Sequence, residues 1–274
     1  METTKNTKEY EMKYVTVGCN AHPAYAFYLP IINKIWANFG FTLMPLLTGS
    51  WTDNWAKYVI SQLSNVKYIE AGGWDTGRVA QVARLFAFEN LEYQDQLMTS
   101  DVDMIPLSKI WFNQSLNDKL NLYFSNAYNH TKYAMCYIEA SKEIWGQIIN
   151  EPFDKVMGRA NHWGFDEEYM GTKIHAWEGD RSNCNYIQRT HRPGAPCPDG
   201  RIDRSCWTNS LRFKDRWINS LIDCHGFRPC YDGEEWRLTK VLLRRLDIDY
   251  KYIVDYREQF IKLIDKERDY GRIR

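Results

Sequence analysis

Two aspartates one residue apart, Asp101-Val102-Asp103, carry the most chemistry in this chain. They follow the strand-like run Gln96-Leu97-Met98-Thr99-Ser100, and Pro106 stands just beyond as a residue that helps stop a β-ladder. In extended backbone, residues two apart point the same way, so both carboxylates can meet one hard cation. Oxygen ligands suit Mg²⁺ or Mn²⁺, which keep positions open for phosphate oxygens. The chemistry indicated is a metal-dependent reaction on a nucleotide diphosphate compound. Such triplets also occur in solvated turns. A polar pair closing an apolar strand within an α/β pattern, however, lies where open sheets bind ligands.

Three further features can join the aspartates. Arg84 falls on the helix preceding their strand, where its planar fork of donors can reach a sugar or a carboxylate; a solvated helix arginine is the plainer alternative. His162-Trp163-Gly164-Phe165-Asp166-Glu167-Glu168-Tyr169 places acids at a turn entering a helix. One of them can act as a base or stabilise positive charge at a sugar carbon, although a bare helix cap explains Asp166 equally well. Trp163 can floor an acceptor sugar. In Asp223-Cys224-His225-Gly226-Phe227-Arg228-Pro229, a neutral His225 can complete a metal site and Arg228 can clamp a diphosphate. A surface histidine is the ordinary alternative there.

The elements that must position these residues alternate. Lys13–Cys19 reads as a buried first strand, and apolar residues at helical spacing run from Ala24 to Phe39 before Gly40 stops them. Strands are predicted over Phe41–Leu47, Val66–Glu70 and Gln96–Ser100, and helices over Trp55–Leu63 and Arg78–Glu89. This order is that of a mostly parallel sheet with right-handed crossovers. Beyond Asp103 the alternation weakens: strands at Leu120–Ser125 and Tyr133–Glu139, a helix capped by Ser141, another over Phe165–Ile174, helices at Leu238–Leu246 and Glu258–Lys266, and an edge strand at Tyr250–Val254. Residues 178–210 are rich in Pro, Gly and Arg and read as a basic flap or as a solvated insertion.

Composition narrows the classes. With 274 residues, 44% hydrophobic and 26% charged, the chain is long enough for a substantial core. Equal numbers of basic and acidic residues, 35 each, argue against a general nucleic-acid binder. No apolar run reaches membrane-spanning length and Met1–Glu11 carries no signal-like core, so a cytoplasmic location is expected. The seven scattered cysteines include no C-x-x-C and are expected as free thiols. Cys184, Cys197 and Cys206 with His191 share a loop-like stretch, but their spacing matches no common zinc pattern.

Taken in order, these landmarks resemble the GT-A class of nucleotide-sugar glycosyltransferases, most nearly the retaining family-eight type and related enzymes of large DNA viruses. The resemblance rests on Val15-Thr16-Val17-Gly18-Cys19-Asn20, Arg84-Leu85-Phe86, Asp101-Val102-Asp103, the dyad Asp166-Glu167, and His225-Gly226-Phe227-Arg228-Pro229. It spans roughly residues 13 to 236. Glu167 stands where that family usually has Gln, Arg228 where it has Lys, and the last motif is shorter than usual. The resemblance implies a single Rossmann-like α/β domain over 13–274 with a mixed, mostly parallel central sheet flanked by helices. It would comprise a donor half (about 13–110), an acceptor half (about 111–240) and a helical extension (about 241–274), after a frayed segment at 1–12.

It also implies an activity: transfer of a sugar from a nucleotide-diphosphate donor, a UDP-sugar first, to a glycan or glycoprotein hydroxyl, with retention favoured over inversion. Thr16, Val17, Gly18, Cys19, Asn20, Arg84, Ser100, Asp101, Val102 and Arg228 would then bind the donor and Trp163 the acceptor. Asp101, Asp103 and His225 would hold Mn²⁺ or Mg²⁺, and Asp166 and Glu167 would be catalytic. A sugar nucleotidyltransferase or a non-catalytic carbohydrate-binding protein are the alternatives. The first lacks its Gly-rich basic loop after strand one, and the second sits poorly with the strand–helix alternation.

Overall fold

A computed structural model describes residues 12–114, 119–124, 131–177, 182–189, 200–204, 221–246 and 248–269. The chain opens with β1 (Lys13–Asn20), α1 (Pro23–Ala26), α2 (Tyr28–Phe39), β2 (Thr42–Thr48), α3 (Asn54–Ile60), β3 (Lys67–Ile69) and α4 (Thr76–Ala83). A 3-10 stretch, Arg84–Asn90, leads to β4 (Gln96–Ser100), β5 (Met104–Pro106), α5 (Lys109–Phe112), β6 (Leu120–Tyr123) and β7 (Ile138–Ser141). Then follow α6 (Lys142–Ile148), α7 (Phe153–Met157), α8 (Phe165–Trp177), β8 (Cys184–Ile187), β9 (Arg201–Ile202), β10 (Asp223–His225), α9 (Gly233–Leu243) and α10 (Tyr250–Asp269).

Seven strands form one sheet in the order β3-β2-β1-β4-β7-β6-β8. Every pairing is parallel except those of β7, which runs against both β4 and β6. The mostly parallel sheet that the alternation predicts, mixed and flanked by helices as the resemblance implies, is therefore present. Its core divides between the two faces by the two-residue period of the strands. From β1, Val15, Val17 and Cys19 join Phe27, Trp36 and Phe260 on one face; from β2, Met44 and Leu46 join Val79, Trp145 and Ile174 on the other.

Strand order explains where a site can form. The chain lays β1, β2 and β3 outward, then returns to place β4 on the opposite side of β1. The crevice at the carboxyl ends of β1 and β4 is thus a topological switch point, the place where open α/β sheets accept ligands. Val17–Ser100 is the last pair between β1 and β4; beyond it Asp101–Asp103 leave β4, while Gly18–Asn20 run on as the end of β1, paired with β2 alone.

A second sheet, β5-β10-β9, was not anticipated. Pro106 is the last residue of β5, opposite Asp223; β5 is an edge strand, where proline is tolerated, and its ladder ends there. Other departures are local. The helix expected over Arg78–Glu89 tightens to 3-10 geometry from Arg84 onward. Of Tyr133–Glu139 only the end is strand. Tyr250–Val254, expected as an edge strand because of its β-branched and aromatic residues, is instead the first turn and a half of α10. The recurrence of Ile253, Tyr256, Phe260 and Ile264 was the helical signal. That helix packs on α3, and Phe260 and Tyr256 meet Phe27 in the core.

Candidate functional site

A cleft of about 1140 Å³ opens at the switch point, lined by the ends of β1 and β4, the inner side of α4, the start of α8 and the small sheet. Each wall owes its position to a local cause. Asp75 caps α4 by accepting from the Arg78 amide at 2.9 Å, and α4 lies so close to β1 that a side chain on Gly18 would meet the Ala80 carbonyl oxygen at 1.7 Å. Only glycine allows that approach. At its end the helix delivers Arg84 beneath the aspartates.

Arg84 is nearly sealed from solvent and sits between two carboxylates. Its Nε and Nη2 donate to Asp166 Oδ2 at 3.2 and 2.5 Å, while Nη1 donates to the Ser100 carbonyl at 3.1 Å and to Asp101 Oδ1. Burial works against the guanidinium charge, but Asp166 and Asp101 outweigh it and raise its pKa. Asp166 is fully buried, and its other oxygen accepts from the Glu167 amide at 3.1 Å. This corner is a closed, fully paired strut between β4 and α8.

Asp103 heads a second corner, and the small sheet builds it. Antiparallel pairing sets His225 opposite Met104, and the Gly226 amide donates to the Asp103 carbonyl at 2.8 Å. Parallel pairing of β9 with β10 sets Ile202 beside Cys224, which brings Arg204 alongside Gly226, to whose carbonyl Arg204 Nε donates at 3.0 Å. On Asp103 Oδ2 there converge Arg204 Nη2 at 2.5 Å, Arg228 Nε at 3.0 Å and His225 Nε2 at 3.4 Å. Arg228 also donates to the Tyr25 hydroxyl and covers that ring at 4.8 Å.

His225 meets opposing demands. Burial disfavours charge on the ring, yet Asp103 more than offsets this and raises its pKa. Arg204 Nη2 points at Nε2 and needs the lone pair there, while Nδ1 lies 3.1 Å from Asp203 Oδ1. The neutral tautomer with Nδ1–H donating to Asp203 satisfies both neighbours. In the cleft wall, burial pushes the Cys136 thiol up to about 11 and raises that of Cys19 further, so neither is poised as a nucleophile.

The residues singled out from the sequence divide into three groups. Gly18, Cys19, Asn20, Arg84, Asp101, Val102, Asp103, Trp163, Asp166, Glu167, His225 and Arg228 all border the cleft. Thr16 and Val17 do not: both are sealed in the sheet, the Thr16 hydroxyl donating to the Met44 carbonyl at 3.1 Å. Ser100 is likewise buried and serves through its carbonyl, which holds Arg84. Tyr25, Gln81, Lys132, Asp203 and Arg204 border the cleft without having been singled out as site residues. The arginine-rich composition of 178–210 was the signal for Arg204. Of that stretch 178–181, 190–199 and 205–210 lie outside the described residues, as do Cys197, Cys206 and His191 of the zinc candidate.

A divalent cation can be tested against these donors. Asp103 Oδ2 and His225 Nε2, 3.4 Å apart, aim at one point, and an oxygen with an imidazole nitrogen suits Mn²⁺ or Mg²⁺ when phosphate or water completes the shell. The position is already attractive to a cation, since Arg204 Nη2 lies against both donors. Asp101 is turned instead to Arg84. Among the described residues no group of three or more His, Cys, Asp and Glu side chains could hold a metal. The fit is therefore for an ion with two protein ligands.

No family model matches the chain, and no curated protein does. Among solved structures, it is similar to a galactosyltransferase, LgtC, crystallised with donor and acceptor sugar analogues. The identity is 13% and the TM-score 0.46, over 87% of this chain and 97% of that one. A likeness this distant does not bear on chemistry. Among the described residues, no helix is long and apolar enough to cross a membrane.

Proposed function

We propose that this protein is a metal-dependent glycosyltransferase of GT-A type, carrying a sugar from a nucleotide-diphosphate donor, first of all a UDP-sugar, to a glycan hydroxyl. The observation that supports this most is the meeting of Asp103, His225 and Arg228 at the mouth of a polar switch-point cleft. A carboxylate, an imidazole and a guanidinium at one point suit a phosphate group and its counter-ion.

Asp103 and His225 would hold the ion, with Mn²⁺ or Mg²⁺ supplying charge compensation as the nucleotide diphosphate departs. Arg228, held over Tyr25, would bind the diphosphate from the far side. Gly18 to Asn20, the end of β1 beyond its pairing with β4, would border the nucleoside. Arg84, enclosed by its carboxylates, would act as the strut that holds Asp101 and Asp166 in place rather than as a sugar ligand. Asp166 is fully buried, so the acid of the dyad placed to act on the sugar is Glu167, half-buried where it borders the cleft. Trp163, 69% exposed at the cleft, would floor the acceptor. We favour retention of the anomeric configuration.

A thermal-shift series of UDP- and GDP-sugars, each with and without Mn²⁺, tests the reading. At least one sugar nucleotide should raise the melting temperature, and more so with Mn²⁺. No shift from any of them would refute it. Proton NMR of the product's anomeric signal then separates retention from inversion.

A further inference from the structure

The point where Asp103 and His225 converge is filled by the chain itself. Arg204 Nη2 lies 2.5 Å from Asp103 Oδ2 and donates to His225 Nε2, and its Nε is tied to the Gly226 carbonyl at 3.0 Å. We propose that Arg204 is an internal plug, a guanidinium occupying the divalent-cation position that must swing aside before the ion can bind. This rests on the metal reading of the site given above.

Three features carry the inference. First, Arg204 differs from the neighbouring Arg228: Arg228 approaches Asp103 alone through Nε and is braced by Tyr25, whereas Arg204 spans both prospective ligands. Ion and guanidinium cannot share that point, because both need the same oxygen and the same nitrogen lone pair and both are positive. Second, Arg204 can leave. Its side chain is 32% exposed, whereas Arg84 in the adjoining corner is 7% exposed. Third, it has somewhere to go: it borders the cleft, where a diphosphate offers a better match for its donor fork than one carboxylate oxygen. Ion and nucleotide binding are then coupled through this side chain, and by linkage each strengthens the other.

The test is Mn²⁺ binding without nucleotide, followed by the loss of the free-ion electron paramagnetic resonance signal, on the wild-type chain, Arg204→Ala and His225→Ala. Arg204→Gln, close in length but uncharged, backs the alanine variant should it fold poorly. Removing the guanidinium should tighten Mn²⁺ binding about tenfold, equivalent to about 1.4 kcal/mol. His225→Ala should lose binding whether or not Arg204 is present. Adding UDP should narrow the gap between wild type and Arg204→Ala. If the wild type binds Mn²⁺ and neither Arg204 variant binds it more tightly, the plug is wrong and the metal site stands. If no form binds Mn²⁺, with or without UDP, the metal reading fails and the plug with it.

Discussion

Two arginine–aspartate corners share one cleft and are built for opposite purposes. At Arg84 the guanidinium and its principal partner are sealed, with side chains 7% and 0% exposed, and each donor direction used ends on a fixed acceptor. At Asp103 the cations Arg204 and Arg228 and the imidazole of His225 are a quarter to a third exposed, and all three crowd one oxygen. A buried pair of the first kind cannot be opened without stranding a charge. A part-exposed cluster of the second kind can exchange one cation for another at little cost. The contrast separates scaffold from exchangeable site within a few residues of the same Asp-x-Asp triplet.

The comparison breaks most sharply at Arg84. Arg84→Met should cost about 3–5 kcal/mol in urea unfolding, because Asp166 would be left charged and buried, whereas Arg204→Met should cost less than about 1 kcal/mol. Equal losses would erase the distinction drawn here. Next in size is Glu167→Gln, which should slow turnover by about 100-fold, in the range of a lost proton-transfer group, with donor affinity little changed. Loss of affinity without loss of turnover would remove Glu167 from the chemistry. Gly18→Ala should cost about 1–3 kcal/mol by overpacking β1 against α4, and its melting should show this without any change in Mn²⁺ binding.

The smallest effect concerns the helix that carries Asp166. Glu151 accepts from Lys173 on α8 at 2.6 Å and pairs with Arg159 at 3.1 Å and Lys155 at 3.3 Å. The hydrogen bond from Lys173, against the opposing effect of burial and with help from Arg159 and Lys155, lowers its pKa from 4.5 to about 2. A depressed carboxylate pKa contributes stability above the unfolded value and loses it as pH falls through the folded one. Glu151→Gln should therefore melt slightly lower at pH 7, and the difference should fade between pH 4.5 and about 2. A gap that persists at pH 2 would contradict the pairing.

What could be read from the sequence follows from range. Gln96–Ser100 was legible to the residue, and Ser141 caps α6 through the Ile144 amide as its spacing implied, because strand period and caps are local. The β5-β10-β9 sheet was not legible: its strands are two or three residues long, and β5 pairs with β10 across more than a hundred positions. His225 could be proposed as a metal ligand from its residue type and turn, but the register that puts it beside Asp103 appears only in three dimensions. Thr16 and Val17 are sealed because β1 is flanked by strands on both sides there; it borders the cleft only from Gly18, beyond its last pair with β4. Arg204 was visible only as one basic residue among several.

In the proposed function Asp103 and His225 act together on a nucleotide diphosphate through a divalent ion. Calorimetric titration of UDP with and without Mn²⁺, on the wild-type chain and on His225→Ala, measures this directly. The expected result is wild-type binding at least about tenfold tighter with Mn²⁺, a gain of about 1.4 kcal/mol, that His225→Ala loses while keeping its fold by circular dichroism. Equal affinity with and without Mn²⁺ in the wild type, or an undiminished gain in His225→Ala, would contradict it.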